Sequence, residues 1–220
     1  MIARELITAT IVPLKTSDTG LEALNWMDEY RVSHMPIVNN SDFLGLISEE
    51  DIYALNSYEE PVGSHHLSLT KPYLDESQHI FDVFRIMSEL QLTLVPVLDD
   101  KNHYLGVITT EELLKKFASI SSLRNPGGVI VLERNTNDYS LTEIAQIVES
   151  NDAKVLGIFI TSNPDSTRME ISIKVNRLDL GPILQTFNRY NYIIKASYGE
   201  DTYYDILKDR YDLLMTYLNI

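Results

Sequence analysis

A chain of 220 residues, 44% of them hydrophobic, is long enough for one large or two modest domains with ordinary cores. Its 32 acidic and 18 basic residues leave a formal net charge of −14, and no lysine or arginine cluster is present to replace phosphate counterions, which argues against a nucleic-acid partner. With no cysteine there is no disulfide, thiolate metal site or thiol nucleophile, and no apolar run approaches the roughly eighteen residues of a membrane span. The first seven residues lack the long apolar core of a signal peptide, so a cytoplasmic protein is expected.

In chain order, Thr8 to Val12 reads as a short strand ending at Pro13. Ser17, Asp18 and Thr19 offer N-caps for a helix running to about Tyr30. Residues 35–39 and 43–48 read as two strands joined by an Asn39–Asp42 turn, and a helix follows from about Glu49 to Leu55. The polar stretch 56–68, with Pro61 and Gly63, is a connector.

The same order then returns between about Leu69 and Phe117. Shifted by sixty positions, Leu21, Ala23, Leu24, Met27 and Tyr30 fall on Phe81, Val83, Phe84, Met87 and Leu90, and Met35-Pro36-Ile37-Val38 falls on Val95-Pro96-Val97-Leu98. One extra residue near Asn102 brings Gly45-Leu46-Ile47-Ser48-Glu49-Glu50-Asp51 onto Gly106-Val107-Ile108-Thr109-Thr110-Glu111-Glu112. Each copy is a glycine, two aliphatic residues, a hydroxyl where a helix N-cap belongs, and a carboxylate three residues on. One copy would read as a plain capping box. Two copies in a repeated context read as a pseudo-symmetric pair packed together.

This order (a helix, hydrophobic-Pro-hydrophobic-hydrophobic, then Gly-h-h-Ser/Thr-x-x-Asp) resembles the cystathionine-β-synthase (CBS) domain, and two in tandem resemble the Bateman module. The resemblance implies that the cleft between repeats binds an adenosine nucleotide. Chemically, a carboxylate accepts from the two vicinal hydroxyls of a ribose, a hydroxyl and backbone N–H groups take the phosphate end, and strand backbone beside a proline reads the base. Carried over by position, Asp51 holds ribose and Ser48 lies near ribose or phosphate, with Thr109 and Glu112 matching them in the second repeat. Glu112 departs from the usual aspartate by one methylene, which leaves open a reach to ribose or a silent site. Pro36, Ile37 and Val97 sit where strand backbone meets the base. His34 stands where such repeats sometimes place a basic residue near phosphate, the alternative being a surface or packing histidine, whereas its equivalent, Leu94, offers nothing.

Beyond the repeats, Ser119 to Gly128 with its Pro-Gly-Gly marks a boundary. Val129–Leu132 reads as a strand, Ser140-Leu141-Thr142-Glu143 as a capping box opening a helix that carries Leu141, Ile144, Ile147 and Val148 on one face, and Leu156–Thr161 as a strand. After a turn at 163–166, Met169–Val175 alternates with one buried face, a helix covers about Pro182–Tyr190, and a strand covers Tyr192–Tyr198. The order β-α-β-β-α-β is the ferredoxin-like arrangement. Following a CBS pair, it resembles an ACT domain, and the whole layout is similar to the acetoin-utilisation accessory protein family. The loop before the first helix, Asn137-Asp138-Tyr139-Ser140, lacks the glycine that amino-acid-binding ACT domains place there. From Asp201 to Leu218 the chain is amphipathic, with Tyr203, Leu207, Tyr211, Leu214 and Leu218 on one side.

The expected fold is therefore α/β in class. Its parts are CBS repeats at 1–58 and 59–120, a linker at 121–128, an ACT-like domain at 129–200 and a C-terminal helix at 201–220. No phosphate loop, nucleophile elbow or metal-ligand spacing among His65, His66, His79 and His103 points to catalysis or zinc. The sequence reads as a non-enzymatic regulator that senses AMP, ADP or ATP, requires no cofactor and, as the resemblance implies, forms a homodimer through its CBS pair. The alternative is a scaffold with degenerate pockets.

Overall fold

The structure is a computed structural model and describes residues 1–8, 10–55, 57–64, 71–120, 124–162 and 167–199. The expected C-terminal helix, the turn at 163–166 and the His65-His66 pair lie outside the described residues. The chain divides into two compact units, Met1–Phe117 and Ala118–Ile220. No helix among the described residues is long and apolar enough to cross a membrane.

In the first unit, α1 spans Gly20–Tyr30, β1 His34–Asn39, β2 Asp42–Ser48 and α2 Glu49–Tyr53. The matching elements are β3 (Leu74–Asp75), α3 (Ile80–Glu89), β4 (Leu94–Leu98), β5 (Tyr104–Thr109) and α4 (Thr110–Ile120). Helix α1 starts at Gly20 rather than Ser17 because Thr19 is the N-cap: its Oγ1 accepts from the Glu22 N–H while the Glu22 carboxylate accepts from the Thr19 N–H. Strands β1 and β2 pair antiparallel with a bulge at Ile37/Val38, and β4 and β5 repeat the arrangement with a bulge at Val97/Leu98. Asn40 and Asn102 take the positive φ of the two turns. Of the expected strand at 8–12, the described residues show an isolated bridge from Thr8 to Val107, and the parallel partner of β1 is Leu14, beyond Pro13. Leu74 pairs with Val97 as Leu14 pairs with Ile37, so the sixty-residue shift holds there too.

One shared core joins the repeats. Ala23, Met27, Met35, Ile37, Leu46, Ile47 and Ile52 pack in one cluster with Val83, Met87, Val95, Val97, Val107 and Ile108. Leu21 and Phe81, expected on the apolar helix faces, are instead 51% and 69% exposed. Each repeat also lends its leading segment to the other. The Ala3 and Arg4 N–H groups donate to the Gln78 and Glu76 carbonyls, and those of Val62 and Gly63 donate to the Asp18 and Thr16 carbonyls. Thr8 N–H bonds Val107, and the neighbouring Ile7 lies so close to Gly106 that a Cβ there would meet its Cγ2 at 2.5 Å.

The second unit contains β6 (Val129–Asn135), α5 (Leu141–Glu149), β7 (Val155–Ser162), β8 (Arg168–Val175), α6 (Gly181–Arg189) and β9 (Ile193–Tyr198). Its antiparallel sheet has the order β7-β8-β6-β9, the ferredoxin-like topology expected from the element order. Met169, Ile171, Ile173 and Val175 are all buried with Ile144, Ile147, Val148, Ile183 and Phe187, which is the period-two strand laid against two helices. Leu141, assigned to the same helix face from sequence, is half exposed because it is the first residue of α5.

Candidate functional site

Ser48 ends β2 and caps α2. Its N–H and its Oγ–H both donate to Asp51 Oδ2, at 2.9 and 2.8 Å, and the Asp51 N–H donates back to Ser48 Oγ at 3.0 Å. The full capping box fixes the rotamers of both side chains, and the three carboxylates Glu49, Glu50 and Asp51 all fall in the first turn, where the helix dipole favours negative charge.

His34 opens β1 beside this turn. Its Nδ1 lies 3.0 Å from Thr93 Oγ1 and also accepts from the Thr93 N–H at 3.4 Å. Thr93 Oγ1 in turn accepts from the Ser33 N–H at 3.0 Å. Toward the Thr93 N–H, Nδ1 acts as an acceptor, which leaves Nε2 as the ring's other hydrogen-bonding atom. Burial pushes the His34 imidazole below its ordinary value, against the pull of the Asp51, Glu49 and Glu50 carboxylates. These bonds tie the start of β1 to the residue before β4, one from each repeat.

His34, Ser48 and Asp51 line one cavity of about 360 Å³ together with Ser33, Glu49 and Glu50. Its far wall is Leu90 and Gln91, which follow α3 in the other repeat. Gln91 has a φ of 52°, and its equivalent Arg31 caps α1 with a φ of 54°. Among the described residues the lining contains no lysine or arginine. Ser33, the two glutamates and the Leu90-Gln91 pair were not assigned to the site from the sequence. The signal was present in the sixty-residue alignment, one position past the Tyr30/Leu90 match.

The second repeat holds its motif differently. Glu112 N–H donates to Thr109 Oγ1 at 3.2 Å, but the Glu112 carboxylate turns to Lys115 Nζ at 3.3 Å instead of closing the box. Lys115 also pairs with Glu111 at 2.7 Å. The Lys115 ammonium, with Arg31 adding to its field, holds the Glu111 carboxyl below its ordinary value. Thr109 and Glu112 do not line the cavity beside His34, and neither do Pro36, Ile37 and Val97. Ile37 and Val97 are core residues, at 1% and 0% exposure. The Pro36 carbonyl accepts from the Leu14 N–H, and Val97 is aligned with Leu74 on one side and Gly106 on the other.

In the second unit, the loop before α5 is a short 3-10 turn, Thr136–Asp138, capped by the Asn135 side chain, and no residue from 135 to 140 has a positive φ. The turn needs no glycine, which accounts for the Asn-Asp-Tyr-Ser sequence. Behind it, Arg134 lies 4.2 Å over the Tyr192 ring, and the Tyr192 hydroxyl donates to Glu143. Among the described residues, no group of three or more histidine, aspartate or glutamate side chains is placed to hold a metal ion.

A CBS-domain family profile matches residues 3–57 and 66–119. The inosine-5'-monophosphate dehydrogenase of Methanocaldococcus jannaschii is 23% identical over 151 residues, 67% of this chain and 30% of that enzyme, so the chain spans less than a third of that relative. A CBS domain pair/ACT domain protein from Thermotoga maritima is 21% identical, with a TM-score of 0.49 over 54% of this chain and 98% of that one. The structure of CBSX2 in complex with AMP is 21% identical, with a TM-score of 0.47 over 54% of this chain and 97% of that one. The two motif copies, the bulged hairpins and the profile match agree: the first half of the chain is a tandem pair of CBS domains.

Proposed function

We propose that the CBS pair is a regulatory sensor of an adenosine-containing ligand of the AMP, ADP or ATP type, bound between the repeats. The observation that carries this reading is the cavity beside His34. It takes Ser48, Asp51 and His34 from one repeat and Leu90 and Gln91 from the other, so a ligand filling it touches both. Asp51 accepts from ribose hydroxyls, Ser48 positions it, and Leu90 offers an apolar wall to a base. A ligand with different affinity for two arrangements of the repeats would shift the balance between them. Thr109 and Glu112 form the corresponding edge in the second repeat. The role is regulatory, not enzymatic.

The protein acts as a homodimer. Leu21 and Tyr53 in the first repeat, and their equivalents Phe81 and Leu114 in the second, are 51%, 61%, 69% and 65% exposed. The same apolar pair thus stands open twice, the pattern of a surface that a second copy covers. The ferredoxin-like unit is read as ACT-like and carries output or further subunit contacts. In the scaffold reading, these faces are the function and the cavity is vestigial.

Thermal denaturation of the full chain with AMP, ADP and ATP decides between them. A rise in melting temperature that Asp51→Ala abolishes supports the sensor. No shift with any of the three at millimolar concentration overturns it, and a defined dimer without a ligand response then supports the scaffold.

A further inference from the structure

We propose that the segment from Asp201 to Leu218 docks as an amphipathic helix on the open face of its own chain's β7-β8-β6-β9 sheet, the face turned away from α5 and α6. The proposal concerns the second unit alone and stands apart from the sensor reading.

Both α-helices of this unit pack on one face of the sheet, where Ile130, Leu132, Ile171 and Ile173 are buried against them. Strand alternation sends the neighbours of these residues to the other face. There Val131 is aligned with Ser172 and Ala196, Ser172 with Phe159, and Val129 with Tyr198. Phe159 and Tyr198 are exposed, and the residues between them are half-buried. A contiguous apolar patch of this kind on a sheet marks a surface that another element covers. The same face turns polar further along. Glu133 is aligned with Glu170, and Lys195 bridges the two carboxylates.

Place, length and charge point to the tail as the occupant. Strand β9, at the sheet edge, ends at Tyr198, the apolar end of the open face. Gly199 follows, so close to the loop before α6 that a Cβ there would meet the Leu178 carbonyl oxygen at 2.4 Å, which anchors the point of departure. Asp201 to Leu218, outside the described residues, spans about 27 Å as a helix, and the eight residues of β8 span about the same. Tyr203, Leu207, Tyr211, Leu214 and Leu218 form one side, and Asp205, Asp209 and Asp212 fall on the other, which then faces water. Arg210 is the one charged residue inside the apolar arc. In a helix running back along the sheet it stands about 10 Å beyond Tyr203, while Glu133 and Glu170 stand about 13 Å beyond Val129. The lone cation thus comes over two carboxylates that repel each other across neighbouring strands.

The chain has no cysteine, so a single introduced thiol reports on one place. Ser172→Cys sets it in the middle of the open face with little change in volume, and Thr142→Cys sets a control on the exposed side of α5. Maleimide labelling rates are measured on the full chain with the native tail, with Leu207→Asp/Leu214→Asp and with Arg210→Glu. The expected result is that Ser172→Cys labels at least about tenfold faster with the double-aspartate tail, and faster by a smaller factor with Arg210→Glu. Thr142→Cys should label at one rate in all three. An unchanged Ser172→Cys rate in both tail variants overturns the proposal. A rate that rises on dilution of the native-tail protein assigns the cover to a second copy and overturns it as well. Where the double substitution abolishes the melting transition, Arg210→Glu, which keeps every apolar side chain of the tail, decides alone.

Discussion

Ser48 and Thr109 begin the same sentence in the two repeats and finish it differently. Asp51 reaches back and closes a reciprocal box with Ser48, whereas Glu112, one methylene longer, leaves Thr109 with a single bond and pairs with Lys115. Thr93 Oγ1 faces His34 across the repeat boundary, and the equivalent of His34 is the fully buried Leu94. Positions inside the shared core keep their apolar character through the duplication because a buried polar group without a partner is costly. Positions at the rim carry no such constraint, and there the charges diverge. Pseudo-symmetry of backbone is thus compatible with two chemically unlike edges.

The largest effect should come from the part that is alike. Ile47→Ala and Ile108→Ala each delete the same buried side chain and should each lower the stability of the first unit by about 3 kcal/mol. A disparity above about 1.5 kcal/mol in urea titration would show that the repeats are not energetically equivalent inside. The caps should separate them next. In the ligand-free protein, Asp51→Ala should cost about 1 kcal/mol, and Glu112→Ala, which loses an exposed pairing with Lys115, a few tenths. Equal losses would mean that the closed box contributes nothing beyond a surface charge.

Tyr104 takes the place of Phe43, and its buried hydroxyl has no hydrogen-bond partner among the described residues. Tyr104→Phe should therefore stabilise the first unit by up to about 1 kcal/mol, and a loss of stability would mean that the hydroxyl is satisfied in solution. The smallest effect concerns pH. Since His34 titrates below its unfolded value of 6.5, its contribution is fully present above that pH and is lost as pH falls through the lower folded value. His34→Leu, which copies Leu94, should flatten the fall in stability between pH 7 and pH 5, and an unchanged slope would assign it to other groups.

Both repeats were legible in the sequence because their strands and helices are written by side chains: Pro36 and Pro96 at one register, glycines at the bulged strands, hydroxyls at the caps. The ferredoxin-like unit was legible for the same reason, through the alternation from Met169 to Val175. The exchanged leading segments were not. Ala3, Arg4, Val62 and Gly63 are held by backbone N–H groups, and a backbone bond leaves no residue preference to read. Half of the cavity was equally hidden. Ser48 and Asp51 announce themselves by spacing, while Leu90 and Gln91 arrive through the docking of one repeat on the other, which no local pattern encodes.

That exchange bears on how the chain is made. Thr8 has its bridge partner at Val107, and Ala3 its partner at Gln78, so the opening residues leave the ribosome long before the surface they dock on exists. Closure of the first unit must wait until the fifth strand has been synthesised, which gives it a high contact order and a late, cooperative final step. Neither repeat expressed alone, cut at residue 58 or 59, carries the segment that completes it.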